Sequence, residues 1–370
     1  MSQKTVGFVL VGGEHQALHL LPSAVPLSQK EFVSVKVLVR SEEEQIYCRK
    51  LLKRLGGEHI VIEKMTVPFW IRKFAKKKIS LFFNRNKIKS FDAVIASEPT
   101  STILRSFIKK MPLFVLIPHG AGDRAKGYDS RTKIFDHVIV AGSKHRRTMI
   151  DKGLVTRETC SVAGYIKRYV LQQLSENDWS YFSDDKPIVL YVPHFDLELS
   201  SWTKFGEGLL EFFQHQSDFN VVIAPHIRLS KSFPQLLKDR LDAIAKANDN
   251  ICVDLGSPRV MDMTYTRNAD IYVGDVSSQV YEFLVKPKPC IFLNGHNANW
   301  RDNPDYGHWT MGQVCNDLDE FKVSLNKVVE SHPEYIDIQK SRCFDNMGDP
   351  DWVPTQRAAE IIYNLLQAEA

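Results

Sequence analysis

The sequence of 370 residues lacks a long apolar run and lacks the motifs that name common enzyme classes. No run approaches the roughly 20 apolar residues of a membrane-spanning helix. The six cysteines form no CxxC pair, so neither a zinc knuckle nor a disulfide framework is predicted, and a reducing compartment is the simplest interpretation. The absence of GxGxxG, GxxxxGK[ST], GxSxG and HExxH motifs argues against dinucleotide, P-loop, hydrolase and zinc-protease sites.

Acidic residues are missing from one stretch of the chain, residues 64–91, which we call the basic segment. It contains nine Lys or Arg and no Asp or Glu. The rest of the chain has 48 − 9 = 39 basic and 44 acidic residues, so this segment alone accounts for the net charge of +4. Nucleic acid is not a predicted partner, because the basic charge is confined to one segment and no recognition motif occurs.

Aromatic and aliphatic residues of the basic segment recur at helical spacing. The pattern predicts one helix with an apolar face made of Trp70, Ile71, Phe74, Ala75, Ile79 and Phe82. A helix with lysines and arginines opposite such a face is typical of one lying on an anionic membrane. Two alternatives are that the apolar face packs into the core and that the charges bind an anionic polymer.

Short apolar stretches alternate with helical patterns through both halves of the chain, which predicts parallel sheets covered on both faces. The predicted fold class is α/β, with two Rossmann-like doubly wound domains facing across a cleft and a C-terminal helix packing back. The predicted divisions are a first domain at 1–168, a linker at 169–186, a second domain at 187–352 and a terminal helix at 353–370.

Chemically active side chains follow four of the predicted strands. His119, His194 and His226 each come directly after a proline at a strand end, and Asp275 ends a fourth strand. Ligands of doubly wound sheets bind beyond the carboxyl ends of the strands. Each histidine alone is more often structural than catalytic, because His is common in loops, but their recurrence at strand ends makes these residues candidates for a shared site.

The stretch "GDVSSQVYEF" predicts a strand end followed by a helix start. Ser277 or Ser278 can cap this helix, and unpaired amides of a first turn bind phosphate. Glu282, one turn later, is a candidate for binding ribose hydroxyls or is simply solvated. Ser257, which is followed by a proline, predicts another helix start.

Four stretches occur in an order that resembles one known family. They are "HGAGDRAKGYD" around His119, "AGYIKR" from Ala163, "IAPHIR" around His226, and "ADIYVGDVSSQVYEFLVKPKPCIFLN". Together they resemble the CDP-glycerol glycerophosphotransferase family, whose teichoic-acid and capsule enzymes move an alditol phosphate from a CDP-alditol to a growing polymer. The resemblance spans residues 110 to 295.

The resemblance implies a GT-B-like fold, with the acceptor and membrane side in the first domain and the donor nucleotide in the second. His119 corresponds to the family's general base, and His226 to its second histidine, with Ile227 replacing a proline. The resemblance and the residue patterns together make His119, His226 and Asp123 the candidate catalytic residues. The candidate donor-binding residues are Gly120, Arg124, Gly164, Arg228, Ser257, Asp275, Ser277, Ser278 and Glu282.

The predicted function is the transfer of glycerol phosphate, or a related alditol phosphate, from a CDP-alditol to a hydroxyl of teichoic acid or capsule, with release of CMP. No cofactor is predicted and a metal is not indicated, because preorganised protein donors can replace one. The predicted location is cytoplasmic, at the inner face of the membrane. The alternatives are a GT-B glycosyltransferase that uses a nucleotide sugar and a non-catalytic module that binds polymer or membrane through the basic segment.

Overall fold

The computed structural model describes residues 2–74, 76–120, 128–174 and 179–368, with backbone only for 72–74. Its strands are β1 (Lys4–Val9), β2 (Val33–Val39), β3 (Val61–Lys64), β4 (Ala93–Ala96), β5 (Leu113–Leu116), β6 (His137–Val140), β7 (Cys160–Val162), β8 (Ile188–Val192), β9 (Asn220–Ile223), β10 (Ile251–Val253), β11 (Ile271–Gly274), β12 (Cys290–Leu293) and β13 (Gln313–Cys315).

Its α-helices are α1 (Ala17–Ser28), α2 (Glu42–Arg54), α3 (Lys77–Phe83), α4 (Arg85–Lys89), α5 (Leu104–Phe107), α6 (Ser143–Asp151), α7 (Ile166–Leu174), α8 (Trp202–Gln214), α9 (Ile227–Ser232), α10 (Gln235–Ala247), α11 (Thr264–Asn268), α12 (Gln279–Phe283), α13 (Leu318–Ser331), α14 (Ile336–Met347) and α15 (Pro354–Ala368). Short 3-10 segments include Glu14–Gln16, Phe69–Phe74 and Pro258–Val260.

The described chain forms two compact units. The first contains residues up to 174 together with 344–368, and the second contains 179–343. The predicted linker at 169–186 begins within α7, and the chain rejoins the first unit within α14. In the first unit α15 packs against α1, as predicted.

Each unit is built on one parallel sheet. The strand order is β3-β2-β1-β4-β5-β6-β7 in the first and β10-β9-β8-β11-β12-β13 in the second. In each order the direction of winding reverses beside the first strand, between β1 and β4 and between β8 and β11. The predicted α/β class with two doubly wound sheets is confirmed.

The strands read as continuous apolar runs because helices cover both faces of each sheet. All four residues of β4 and of β5 are buried. Helix α8 places Phe205, Leu209 and Phe213 at helical spacing on one side, and all three lie in the core of the second unit. The sequence analysis missed β13, a three-residue edge strand too short to show a pattern.

The single helix predicted for the basic segment is wrong. Residues Phe69–Phe74 form a 3-10 segment, and the extended backbone at Lys76 (φ −69°, ψ 167°) separates it from α3. Lysines at the start of α3 also lie at the positive end of its helix dipole, where positive charge is unfavourable. The predicted apolar face is therefore not one surface; Ala75 and the side chain of Phe74 lie outside the described part of the chain.

Candidate active site

The first group of candidate residues surrounds the carboxyl ends of β1, β4 and β5, where the winding of the first sheet reverses. The 3-10 segment Glu14–Gln16 follows β1, and Ser97 and Glu98 follow β4. His119 lies three residues beyond β5 and is exposed. Such reversal points are the usual ligand-binding places of doubly wound sheets.

A hydrogen bond to the backbone sets the tautomer of His119. Its Nδ1 lies 3.2 Å from the carbonyl oxygen of Ser97. Because a carbonyl can only accept, Nδ1 carries the proton in the neutral ring and Nε2 has the lone pair. The arrangement orients Nε2 as the basic atom of the side chain, as a general base requires.

Two histidines that the sequence analysis did not single out stand beside His119. The ring centroids of His15 and His19 lie 5.7 Å and 6.3 Å from that of His119. Burial, followed by the charge of Lys167 and the two neighbouring histidines, lowers the pKa of His19 well below its ordinary value. His19 is therefore neutral near pH 7. The signal for both residues was their position just after the glycine turn that ends β1.

Glu98 is a third residue that sequence patterns did not reveal. Its carboxylate receives hydrogen bonds from Lys77 Nζ at 2.7 and 2.9 Å, and the buried amide of Gln16 lies beside it without full hydrogen-bond geometry. Burial would raise the pKa of the Glu98 carboxyl, but Lys77 and then Gln16 and His119 outweigh it, so that the pKa is lowered. Glu98 is charged near pH 7.

The loop behind His119 is described only in part. Gly120 has φ +108° and open space where a side chain would stand, whereas Asp123 and Arg124 lie outside the described residues. Gly164 has φ +98°, and a Cβ there would lie 2.8 Å from Pro354. Packing against the start of α15 thus explains this glycine without a ligand.

The second group of candidates lies where the winding of the second sheet reverses, between β8 and β11. Asp275 is fully buried there. Its carboxylate accepts hydrogen bonds from the amides of His194, Ser201 and Val276 and from the Ser201 hydroxyl. Burial raises the pKa of the Asp275 carboxyl, and these hydrogen bonds oppose the effect. Asp275 therefore holds the loop after β8 rather than presenting its oxygens to solvent.

His226 has the opposite tautomer from His119. Its Nδ1 accepts a hydrogen bond from the amide of Arg228 at 3.1 Å, so Nε2 carries the proton. His194 accepts at Nδ1 from Asp196 in the same way, and the two rings lie 6.3 Å apart. Burial, followed by the charge of Arg228, lowers the pKa of His226 to about 4. His226 is thus a neutral N–H donor near pH 7.

The serine candidates of the second unit differ in exposure and in hydrogen bonding. Ser257 caps the 3-10 segment Pro258–Val260, as predicted, and donates its hydroxyl to Asp254. Ser277 is buried and accepts from the Gln279 amide at 3.3 Å. Ser278 is exposed and makes no capping hydrogen bond. Helix α12, which follows, has only five residues.

The remaining second-unit candidates are Arg228 and Glu282. The Arg228 guanidinium is exposed and lies 4.9 Å from the centroid of the Phe195 ring, which packs against both His194 and His226. Glu282 is 7% exposed, so it is not the solvated side chain that one interpretation of the sequence allowed. Of these two candidates and the serines, Arg228 and Ser278 are the exposed ones, and Arg228 follows His226 by two residues.

Neither a metal cluster nor a membrane span occurs in the described ranges. Within residues 2–74, 76–120, 128–174 and 179–368, no three His, Cys, Asp or Glu side chains are placed to hold a metal ion together. In the same ranges, every helix is too short or too polar to cross a bilayer.

No protein-family model and no curated protein sequence matches this chain, but solved structures share its fold. A putative UDP-N-acetylglucosamine 2-epimerase from Listeria monocytogenes is similar over 100% of this chain and 97% of its own, with a TM-score of 0.70 and 11% identity. UDP-GlcNAc 2-epimerase from Neisseria meningitidis, bound to UDP-GlcNAc, is similar over 99% and 100%, with a TM-score of 0.65 and 14% identity.

The wall teichoic acid polymerase TagF, as a His-to-Asn variant soaked with CDPG, is similar over 100% of this chain and 90% of its own, with a TM-score of 0.63 and 12% identity. At such identities the likeness shows the fold, which is the GT-B type with two Rossmann-like domains.

Proposed function

We propose that this protein is a GT-B transferase that moves an alditol phosphate, such as glycerol phosphate, from a CDP-alditol to a hydroxyl of an anionic surface polymer. The observation that carries the proposal is the tautomer of His119, whose Nε2 lone pair stands at the end of β5. The resemblance around His119 and Ser278 and the fold shared with TagF support the choice of donor.

In the proposed reaction the acceptor oxygen attacks the β-phosphorus of the CDP-alditol. The new O–P bond forms as the bond between the β-phosphorus and the bridging oxygen breaks, and CMP leaves with that oxygen. The hydroxyl proton passes to Nε2 of His119. A neutral, oriented imidazole is suited to this step because it gains one proton without losing its hydrogen bond to Ser97.

The second unit supplies the proposed donor site. The Nε2–H group of His226 and the guanidinium of Arg228 are the groups we assign to the pyrophosphate, with Ser278 as a further hydroxyl donor. A neutral N–H donor and one cation offset the charge that develops on the leaving phosphate. We assign no metal to this reaction, and we assign Asp275 the role of holding the loop that carries His194.

We further propose that the basic segment binds an anionic surface. Phe69 and Trp70 are 83% and 66% exposed, and Phe82 and Phe83 are about one third exposed. Exposed aromatic side chains beside lysines are the combination that anchors proteins at anionic lipid headgroups. Anionic lipids and the anionic polymer acceptor would both bind the basic segment through their negative charge. The location we propose is the inner face of the cell membrane.

The test is nucleotide release from the intact protein given CDP-glycerol, CDP-ribitol and several UDP-sugars, each with teichoic-acid or capsule oligomers. We expect CMP release with a CDP-alditol, and we expect His119→Ala to reduce it about 10²- to 10⁴-fold. The matched control is His59→Ala, because His59 is exposed in the same unit and its ring contacts Ser28. Undiminished turnover in His119→Ala would remove the base assignment.

A nucleotide-sugar transferase is the second candidate, favoured by the UDP-GlcNAc bound in the similar Neisseria meningitidis structure. UDP release from a sugar donor, with none from CDP-alditols, would replace the alditol-phosphate assignment with this one. No turnover with any donor, together with vesicle binding, would instead favour a non-catalytic module.

A further inference from the structure

The mostly buried carboxylate of Glu98 lies close enough to the proposed base for the two charges to interact. Ser97, whose carbonyl oxygen orients His119, is the direct neighbour of Glu98. The Glu98 side chain is 12% exposed, so its charge is poorly screened by water. The proposed transfer reaction as described above does not involve the charge of Glu98.

The end of β1 closes over Glu98 and holds it in place. A Cβ on Gly12 would lie 2.4 Å from Oε1 of Glu98 and 1.8 Å from Nε2 of Gln16, so a larger residue here would displace both side chains. The Gln16 side chain accepts from the Gly12 amide at 2.9 Å. The glycine turn therefore brings the backbone close to the Glu98 carboxylate and the Gln16 amide, directly before His15.

The charges of Glu98 and His119 act on each other. Burial opposes ionisation of Glu98, but Lys77, Gln16 and, as the smallest contribution, the charge of a protonated His119 lower the pKa of its carboxyl. A carboxylate within reach of a cation favours the charged form of that cation. The other groups facing His119 are the imidazoles of His15 and His19. Glu98 itself faces Lys77 and Gln16, and its charge also reaches Arg131.

We propose that Glu98 is a positioning residue for His119: its carboxylate stabilises the imidazolium formed when His119 accepts a proton, and Lys77 limits that effect by pairing with the same carboxylate. The proposal rests on the role of His119 in the proposed function. It also connects the basic segment, through Lys77 at the start of α3, to the chemistry at the end of β4.

Substitutions of Glu98 and of its partner Lys77 are expected to shift the titration of His119 in opposite directions. In Glu98→Gln the midpoint of the His119 ring titration, followed by NMR on the histidine-labelled intact protein, should fall by about half a unit to one unit. In Lys77→Met it should rise by a similar amount, because the carboxylate charge is no longer offset. The acid limb of the pH profile of kcat/KM for CMP release should move in the same directions.

The control is Glu63→Gln, which removes a carboxylate from another lysine–glutamate pair of the same unit; it should leave the His119 midpoint unchanged. An unchanged or raised midpoint in Glu98→Gln, or shifts of the same sign in both variants, would overturn the proposal. If Glu98→Gln does not fold, Lys77→Met decides alone, and an unchanged midpoint there overturns it. Because the NMR readout needs no donor, absence of turnover would count against the proposed function only.

Discussion

At the residue scale, the hydrogen bond made by Nδ1 decides what each histidine can do with Nε2. His119 donates from Nδ1 to a carbonyl and keeps a basic Nε2, whereas His226 accepts from an amide at Nδ1 and keeps an acidic N–H. Both residues follow a proline at a strand end, so the sequence presents them as equivalent. The hydrogen bond to the local backbone therefore makes His119 a base and His226 a hydrogen-bond donor to phosphate.

The pH dependence of stability should reveal the neutral state of His226. Burial and then Arg228 lower the pKa of His226 to about 4, from an ordinary 6.5. Between these values the unfolded chain binds more protons than the folded one, so stability is complete above pH 6.5 and declines as the pH falls towards 4. We expect the urea midpoint of His226→Gln to depend less on pH in this window than that of the wild type.

The comparison needs a second histidine variant, because buried His19 contributes a decline of the same sign. His215→Gln serves, since His215 is exposed in the same unit as His226. Equal pH dependence in His226→Gln and His215→Gln would contradict the assignment of a neutral His226.

At the scale of elements, Asp275 joins the ends of β8 and β11 by bonding to the loop that leads into α8. Its carboxylate binds amides at both ends of that loop, at His194 and Ser201. The Asp275 backbone carbonyl in turn accepts from the side chains of His308 and Trp309. One residue thus ties the loop after β8 and the 3-10 segment Pro304–Met311 to the carboxyl end of β11.

We expect Asp275→Ala to lower the free energy of unfolding by about 3 to 5 kcal/mol, because it leaves buried N–H donors without an acceptor. Asp275→Asn should cost less, since it keeps one acceptor oxygen and removes a charge that burial disfavours. Urea denaturation measures both losses. Asp218→Ala, at an exposed position in the same unit, should stay within about 0.5 kcal/mol of the wild type. An Asp275→Ala loss no larger than this control would contradict the role.

At the scale of the whole molecule, charge is unevenly spread along the chain. Without the basic segment the balance is −5, so an anionic partner is attracted to one segment and repelled elsewhere. The exposed Phe69 and Trp70 lie within this segment. Burial of their side chains would strengthen binding to a bilayer more than binding to a soluble polymer. This difference separates the two anionic partners experimentally.

Vesicle binding tests the membrane partner. The intact protein should bind phosphatidylglycerol vesicles more tightly than phosphatidylcholine vesicles, and the double variant Phe69→Ala/Trp70→Ala should weaken that binding about tenfold or more, from lost apolar burial. The control is Leu236→Ala, because Leu236 is 82% exposed in the second unit. Binding that is equal for both lipids, or equal in the double variant and the control, would contradict the proposal.

Much of the fold is encoded locally and was predictable. Strands such as β4 and β5, buried along their whole length, are apolar at every position, and helices such as α2 and α13 begin at the side-chain caps Ser41 and Asp317. The elements that escaped prediction are those with weak local patterns, such as β13. The prediction of one helix in the basic segment was wrong because helical spacing alone does not reveal that the backbone is extended at Lys76.

By itself the sequence determined the alternating α/β pattern, the placing of His119 and His226 beyond strands, and the concentration of positive charge in one segment. These follow from burial and composition, which act on each residue in its local stretch. Only the tertiary structure decided that His15, His19 and Glu98 surround His119, and that Asp275 is engaged by protein amides. The strand order brings these distant residues together, and which atoms they present depends on hydrogen bonds that form after folding.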